Sequence, residues 1–332
     1  MNGFADLFWQ AYLVNLLFWA ALAQGTVIFA AVLDITGARW GWRYVQISRS
    51  FASFLPVCVV LFLILLLGRN HVFPWIAHPV PEKAAYLNVP FLAARDLGGL
   101  AVMAALSWVA LARMKSAHES GRSGASPWSV TLVLAFMTIY SYLAFDLIMS
   151  LEPHWYSTLL GAHYAVGSFY LGIAGLCFAG CMRPEVPGED RRNLCRLMFG
   201  LALFWVSLLW SQYIVIWYGD IPEETRFVYL RFYQMPWTPV TLVVLALAFV
   251  LPFFMLMPRR AKLIGIVPAL ASLFVMAGLL LEKYVLVVPS LSPDALTLGW
   301  VQLLVTAAFA AIFLATYKLS VRRARPMELP LS

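Results

Sequence analysis

Long apolar runs alternate with short polar segments along the whole chain. Nine of these runs are about 20 residues or more, enough to cross the ~30 Å hydrocarbon core of a bilayer. They predict helices at about 9–34, 50–68, 89–113, 127–150, 156–182, 193–218, 237–257, 262–288 and 296–318. The first is not expected to be a cleaved signal peptide. It lacks a basic leader and is too long, and Gln10, Asn15 and Gln24 interrupt it. The connecting segments are short, so one membrane domain over 1–332 is expected. Helices 1–4 (about 9–150) would form a first four-helix bundle and helices 5–8 (about 156–288) a second. Helix 9 (296–318) would lie outside them, followed by a basic tail, 319–332. The stretch His118–Pro127 (HESGRSGASP) reads as a flexible linker.

Composition agrees. The chain is 62% hydrophobic and 12% charged, which excludes an ordinary soluble domain. Lys and Arg are distributed unevenly. The segments after helices 1, 3, 5, 7 and 9 hold 17 of them, while the opposite side holds only Arg69, Lys83, Arg226 and Arg231. By the positive-inside rule the basic side is cytoplasmic, the N-terminus outside and the C-terminus inside. The net charge of +7 then reflects loops facing the cytoplasm and implies no nucleic acid. Cys58 and Cys177 fall within spans, and Cys181 and Cys195 lie near the reducing side, so no disulfide framework is expected. There is no CxxCH haem motif and no ferredoxin-like cysteine run, so no cofactor or metal is expected in this chain.

Against that apolar background, Arg95, Asp96, Asp146, Glu282 and Lys283 stand out. All five fall in the outer third of their spans. A charge at that depth costs roughly 2.5–3.5 kcal/mol even on insertion scales, and such residues commonly mark proton or substrate paths. Asp146 and Glu282 occupy matching ends of helices 4 and 8, which hints at a parallel duplication. On helix 4, Thr138, Tyr142, Asp146 and Ser150 recur every four residues and predict one polar stripe suited to proton relay. The alternative is a helix-packing seam in which Asp146 simply neutralises Arg95. Lys283 can pair inside the bundle or snorkel to the interface, and snorkelling is the plainer expectation. Only His163 is clearly embedded among the five histidines, which argues against a bis-histidine haem. His154 and His163 could exchange protons or bond a quinol hydroxyl, or serve structurally. The acidic outer loop with Asp220, Glu223, Glu224 and Arg226 is either a solvated turn or a docking site for a periplasmic partner.

Two stretches carry a family resemblance: FDLIMSLEPHWYSTLLGAHY (Phe145–Tyr164) and SQYIVIWYGDIPEETRFVYLR (Ser211–Arg231). Both resemble the second polytopic subunit (ActF type) of alternative complex III, the bacterial quinol:cytochrome c oxidoreductase, within the NrfD and polysulfide-reductase membrane-subunit group. RSFASFLP (Arg49–Pro56) and Trp75 fit more loosely. The resemblance implies an inner-membrane subunit made of two four-helix bundles plus an extra helix. Its implied partners are a homologous polytopic quinol-oxidising subunit, an iron–sulfur subunit and c-type haem subunits. It also implies a proton path here and quinol as the substrate of the complex. This chain has nine spans where the family has ten, and Gly219-Asp220 precede IPEET where an Asn is common.

The resulting expectation is an all-α integral membrane subunit of a respiratory quinol:acceptor oxidoreductase, not catalytic alone, that anchors the complex and supplies an outer proton half-channel. Three alternatives are a quinol-binding subunit using Asp146 and His163, a proton-coupled transporter, and a purely structural scaffold, against which the buried acid layer argues. Transporters of that kind usually break helices at mid-membrane. No such break is expected here except near Pro268, close to the basic end of its helix.

Overall fold

The structure, a computed structural model, describes residues 3–38, 40–119 and 125–323. Arg39, Arg122 and Arg325, residues 120–124 of the expected linker and residues 324–332 of the tail lie outside them. Among the described residues there is no strand, and nine helices are long and apolar enough to cross a membrane. They are α1 (Phe4–Thr36), α2 (Trp42–Val72), α3 (Val89–Ala117), α4 (Pro127–Leu151), α5 (Leu159–Cys181), α6 (Gly188–Gly219), α7 (Trp237–Leu256), α8 (Ile266–Leu291) and α9 (Trp300–Arg323). The chain is a helical multi-pass membrane protein. Three helices begin well before their expected starts, α2 by eight residues and α1 and α6 by five. The first turns of α2 and α6 are polar and give no apolar signal. In α6, Glu189 and Asp190 sit in that first turn, where the helix dipole favours acids.

Helices α1 and α5 form the centre. Their most apolar windows are 89% and 78% buried, against 28% for both α6 and α9. Their backbones meet at Gly25 and Gly172, where a Cβ on Gly25 would stand 3.0 Å from the Gly172 Cα. Close approach at small residues is the usual way apolar helices gain contact in lipid. Helix α1 packs on α2, α3 and α4, and α3 packs on α4. Helices α6 and α8 pack on α5, and α7 packs on both α6 and α8. The two groups meet where α1 lies against α5 and α8, and α4 against α5. Helix α9 lies on α1 and the first half of α2. The three polar residues that interrupt α1 face neighbours. Gln10 donates to Ser292 (3.0 Å), Asn15 to Thr306 (3.0 Å) and Gln24 to Ser107 (3.0 Å).

Contacts at the helix ends confirm strict up-and-down order. His71 meets Asp6 (2.8 Å), Lys83 donates to the Pro153 carbonyl (2.5 Å) and the Trp237 indole to the Pro293 carbonyl (2.5 Å) at one end. That end also carries a short helix, Pro222–Phe232, and is called the loop-helix end here. At the other, basic end Ser129 donates to Asp34 (2.5 Å) and Arg183 to Tyr317 (2.6 Å).

Two prolines interrupt helices, Pro252 in a span expected to be unbroken and Pro289 one residue past the expected end of the eighth span at 288. A π-turn over Ala246–Val250 precedes Pro252 in α7, and Pro289 lies inside α8. Proline has no N–H, so each leaves the carbonyl four residues earlier without its helical donor. In lipid that carbonyl must find another partner. The Tyr170 hydroxyl supplies it for Ala248 (2.8 Å), and the Arg231 Nε supplies it for Val285 (2.9 Å). Helix α7 continues through its π-turn to Leu256 with no unwound segment. The break is therefore a bulge and not the half-helix gap of a transporter site.

Candidate functional site

Chain order brings the buried charges to the loop-helix end. Helices α3 and α5 begin there and α4 and α8 end there, so Arg95, Asp96, Asp146, His163, Glu282 and Lys283 share one level of the bundle. They form two clusters.

The first cluster joins α3 and α4. Arg95 donates Nε to Asp146 Oδ2 (2.5 Å) and Nη2 to Oδ1 (2.6 Å), while the Tyr86 hydroxyl donates to Oδ1 (2.8 Å). The guanidinium carbon lies 4.1 Å from the Tyr86 ring centroid and 4.4 Å from that of Phe91. Two-pronged geometry and aromatic faces on a planar cation make this the strong form of an ion pair. Burial, then the Asp146 carboxylate, hold the Tyr86 phenol above its ordinary range, so it remains a donor. Asp146 is fully buried, and its charge is spent on Arg95 and Tyr86. Asp96 is buried beside Asp146: no described residue donates to its oxygens, and its polar neighbours are the Asp146 carboxylate and Arg95. Asp96 is thus the carboxyl of this cluster that the arginine does not hold.

The second cluster joins α5, α6 and α8. Glu282 Oε1 meets His163 Nε2 (2.8 Å) and receives the Trp205 indole N–H (3.1 Å), and Lys283 donates to Glu282 Oε2 (2.6 Å). Lys283 does not snorkel. It is buried, with Nζ 4.6 Å from the Tyr164 ring centroid. The long side chain folds back to its own neighbour because α5 covers the end of α8. His163 Nδ1 is buried and without a partner among the described residues.

A cavity of about 60 Å³ opens beside this second cluster. His163, Trp205 and Glu282 form one wall, and Gln212, Thr241 and Arg231 provide further polar groups. Its wall is mostly apolar, and these polar groups contribute little of it. Half-buried Leu209, Tyr213, Phe232 and Leu245 line the side between α6 and α7. Arg231 closes the loop-helix side. Besides Val285 it donates to the carbonyls of Leu286 (3.0 Å) and Phe227 (3.0 Å) and to Ser290 Oγ (2.7 Å). Glu152 Oε1 lies 3.3 Å from Arg231 Nη1 and accepts from Ser290 (2.6 Å). The guanidinium stacks 3.4 Å over Phe227, whose ring stacks on Trp155 at 3.6 Å. Burial pulls the Arg231 guanidinium down to about 10 while Glu152 works against that, so it stays charged at neutral pH.

The expected stripe on α4 divides. Ser150 is buried, donating to the Asp146 carbonyl (2.5 Å), but Thr138 and Tyr142 are exposed on the outside of the bundle. A four-residue step overshoots one helical turn by about 40°, so Thr138 and Ser150 differ by roughly 120°. His154 is exposed in the loop, apart from His163. Asp220, Glu223 and Arg226 are exposed at the tip of the loop-helix end, with Asp220 in the left-handed region (φ 45°) ending α6. Glu224 faces Tyr156 and raises its phenol, first through a hydrogen bond and then through its charge.

The sequence did not single out Tyr86, Trp205 or Glu152 as site residues, and it placed Arg231 only among the outer basic residues. Each is far in sequence from its partner and lies outside any local pattern. The available signal was the Pro289 gap, which demands a donor. Among the described residues no group of three or more His, Cys, Asp or Glu could hold a metal ion. No protein-family model matches the chain, and no curated protein matches it.

Proposed function

We propose that this chain is a membrane subunit of a quinol-linked respiratory oxidoreductase in a bacterial inner membrane, and that it carries protons between the membrane interior and the periplasmic side. The loop-helix end is the periplasmic one in this reading, because the basic residues collect at the other end. The supporting observation is the cavity that has the buried His163–Glu282 pair on one wall and Arg231 on another, with Glu152 behind Arg231 toward the loops. A histidine bonded to a carboxylate is a pair between which a proton can pass. The Phe145–Tyr164 and Ser211–Arg231 motifs supply the link to the quinol:cytochrome c complex. The experiment is purification from native membranes through a C-terminal tag. Iron–sulfur and c-type haem subunits should copurify. A homogeneous, colourless single-subunit particle would overturn the assignment.

A second reading draws on the same cavity. Its flank between α6 and α7 is formed by half-buried apolar side chains at membrane depth, a route for a quinol ring to enter from lipid and meet His163. A photoreactive quinone analogue that labels α6 and α7 would favour binding here. Labelling confined to a copurified subunit would favour the proton-path reading.

A further inference from the structure

The basic end holds a second concave site that the proton path does not use. Arg192 and Arg196 on α6, with Arg259, Arg260 and Lys262 from the segment between α7 and α8, line one basin of about 490 Å³. Five cations converging on one space repel one another, and little on the chain offsets them. Glu189 binds Arg192 (3.0 Å) from an exposed position, and Asn193 accepts from Arg196 (2.9 Å). No other carboxylate pairs with these five among the described residues. Arg192 Nε is buried with no partner there. Burial, then the charges of Arg196 and Arg259, pull Lys262 below its ordinary range against the opposing Cys195 thiol. Such a cluster is stable when an anion occupies it.

The surroundings indicate the kind of anion. Lys262 Nζ lies 5.4 Å from the Phe199 ring centroid, and Phe199 stacks on Phe253 (5.0 Å). Exposed Met257, Ile264 and Ile266 flank the cations along the chain, where α7 and α8 leave the apolar layer. Cations above and an apolar skirt beside them match a phosphodiester headgroup with acyl chains running down the helices. Basic pockets of this kind at helix ends bind acidic lipid headgroups.

We infer that this basin is a binding site for the phosphate-bearing headgroup of an anionic phospholipid, seated between α6 and the α7–α8 connection.

The test uses the full chain purified in mild detergent, stripped of lipid and melted against added phosphatidylglycerol, phosphatidylcholine or inorganic phosphate. Phosphatidylglycerol should raise the melting temperature, and phosphatidylcholine and millimolar phosphate should not. In the Arg259→Gln/Arg260→Gln variant, both changes being on exposed side chains, the unliganded melt should equal or exceed that of the wild type, since two mutually repelling cations are gone. The concentration of phosphatidylglycerol needed for the same shift should rise at least about tenfold, given ~1 kcal/mol per basic residue near an anionic lipid. The equivalent Arg322→Gln/Arg323→Gln variant on α9 should keep the wild-type response. An equal response in the Arg259/Arg260 variant would overturn the site. A phosphate shift as large as that of phosphatidylglycerol would overturn the lipid as its occupant.

Discussion

Arg231 occupies the hydrogen-bonding position that Pro289 leaves empty: its Nε reaches the Val285 carbonyl at 2.9 Å, four residues before the proline. The same guanidinium fixes the Pro222–Phe232 helix to α8 and forms a wall of the cavity. Arg231→Gln should therefore lower stability by about 3 kcal/mol, since hydrogen bonds from a charged donor contribute ~1.5–3 kcal/mol each. Adding Pro289→Ala restores a backbone N–H for Val285 and should return roughly 1 kcal/mol. Thermal melts of the two variants in detergent check this. Equal melts for single and double variants would mean that the Val285 contact is incidental.

The Arg95–Asp146 pair should behave as a structural unit. Asp146→Asn leaves a buried guanidinium without its counter-ion and should cost about 3–5 kcal/mol. Combining it with Arg95→Gln should recover most of that loss, because no unpaired charge remains. A stable Asp146→Asn variant would show that the pair does not hold α3 to α4.

Asp96 should separate stability from function. Asparagine keeps a donor toward the neighbouring Asp146 carboxylate, so Asp96→Asn should melt within about 1 kcal/mol of the wild type, the range of a substitution that breaks no contact. If Asp96 exchanges protons, quinol-driven turnover of the complex should fall, and Asp96→Glu should partly restore it. Unchanged turnover in Asp96→Asn would remove the first cluster from the proton path.

Orientation can be tested directly. Thr225 lies in the Pro222–Phe232 helix; Cys58, Cys177 and Cys195 are buried, and the half-buried Cys181 at the basic end is first replaced by serine. A Thr225→Cys chain in intact cells should react with an impermeant thiol reagent at the outer face. Reaction only from the cytoplasmic side would reverse the topology.

These variants also mark what the sequence made legible. The nine spans were plain because each apolar run alone covers the membrane. Arg95 with Asp146 was legible because each sits at the shared end of two consecutive antiparallel helices. The four-residue stripe failed at Thr138 and Tyr142 because helical drift accumulates over three steps. Lys283 was expected at the interface because a single helix reveals nothing of the neighbour that covers it. Arg231, Glu152 and Trp205 meet their partners across 54, 79 and 77 residues, beyond any local pattern.

In the proposed half-channel the His163–Glu282 pair carries protons toward the periplasmic side through its adjoining cavity. The direct measurement is proton release by the purified complex in sealed vesicles, driven by quinol, with Glu282→Gln/Lys283→Met replacing the buried ion pair by neutral groups of similar size. Removing both charges avoids stranding the lysine, so assembly should persist. Proton release and turnover should fall about 100-fold, the lower range for loss of a positioned acid–base group. Wild-type proton release from a fully assembled double variant would contradict the account.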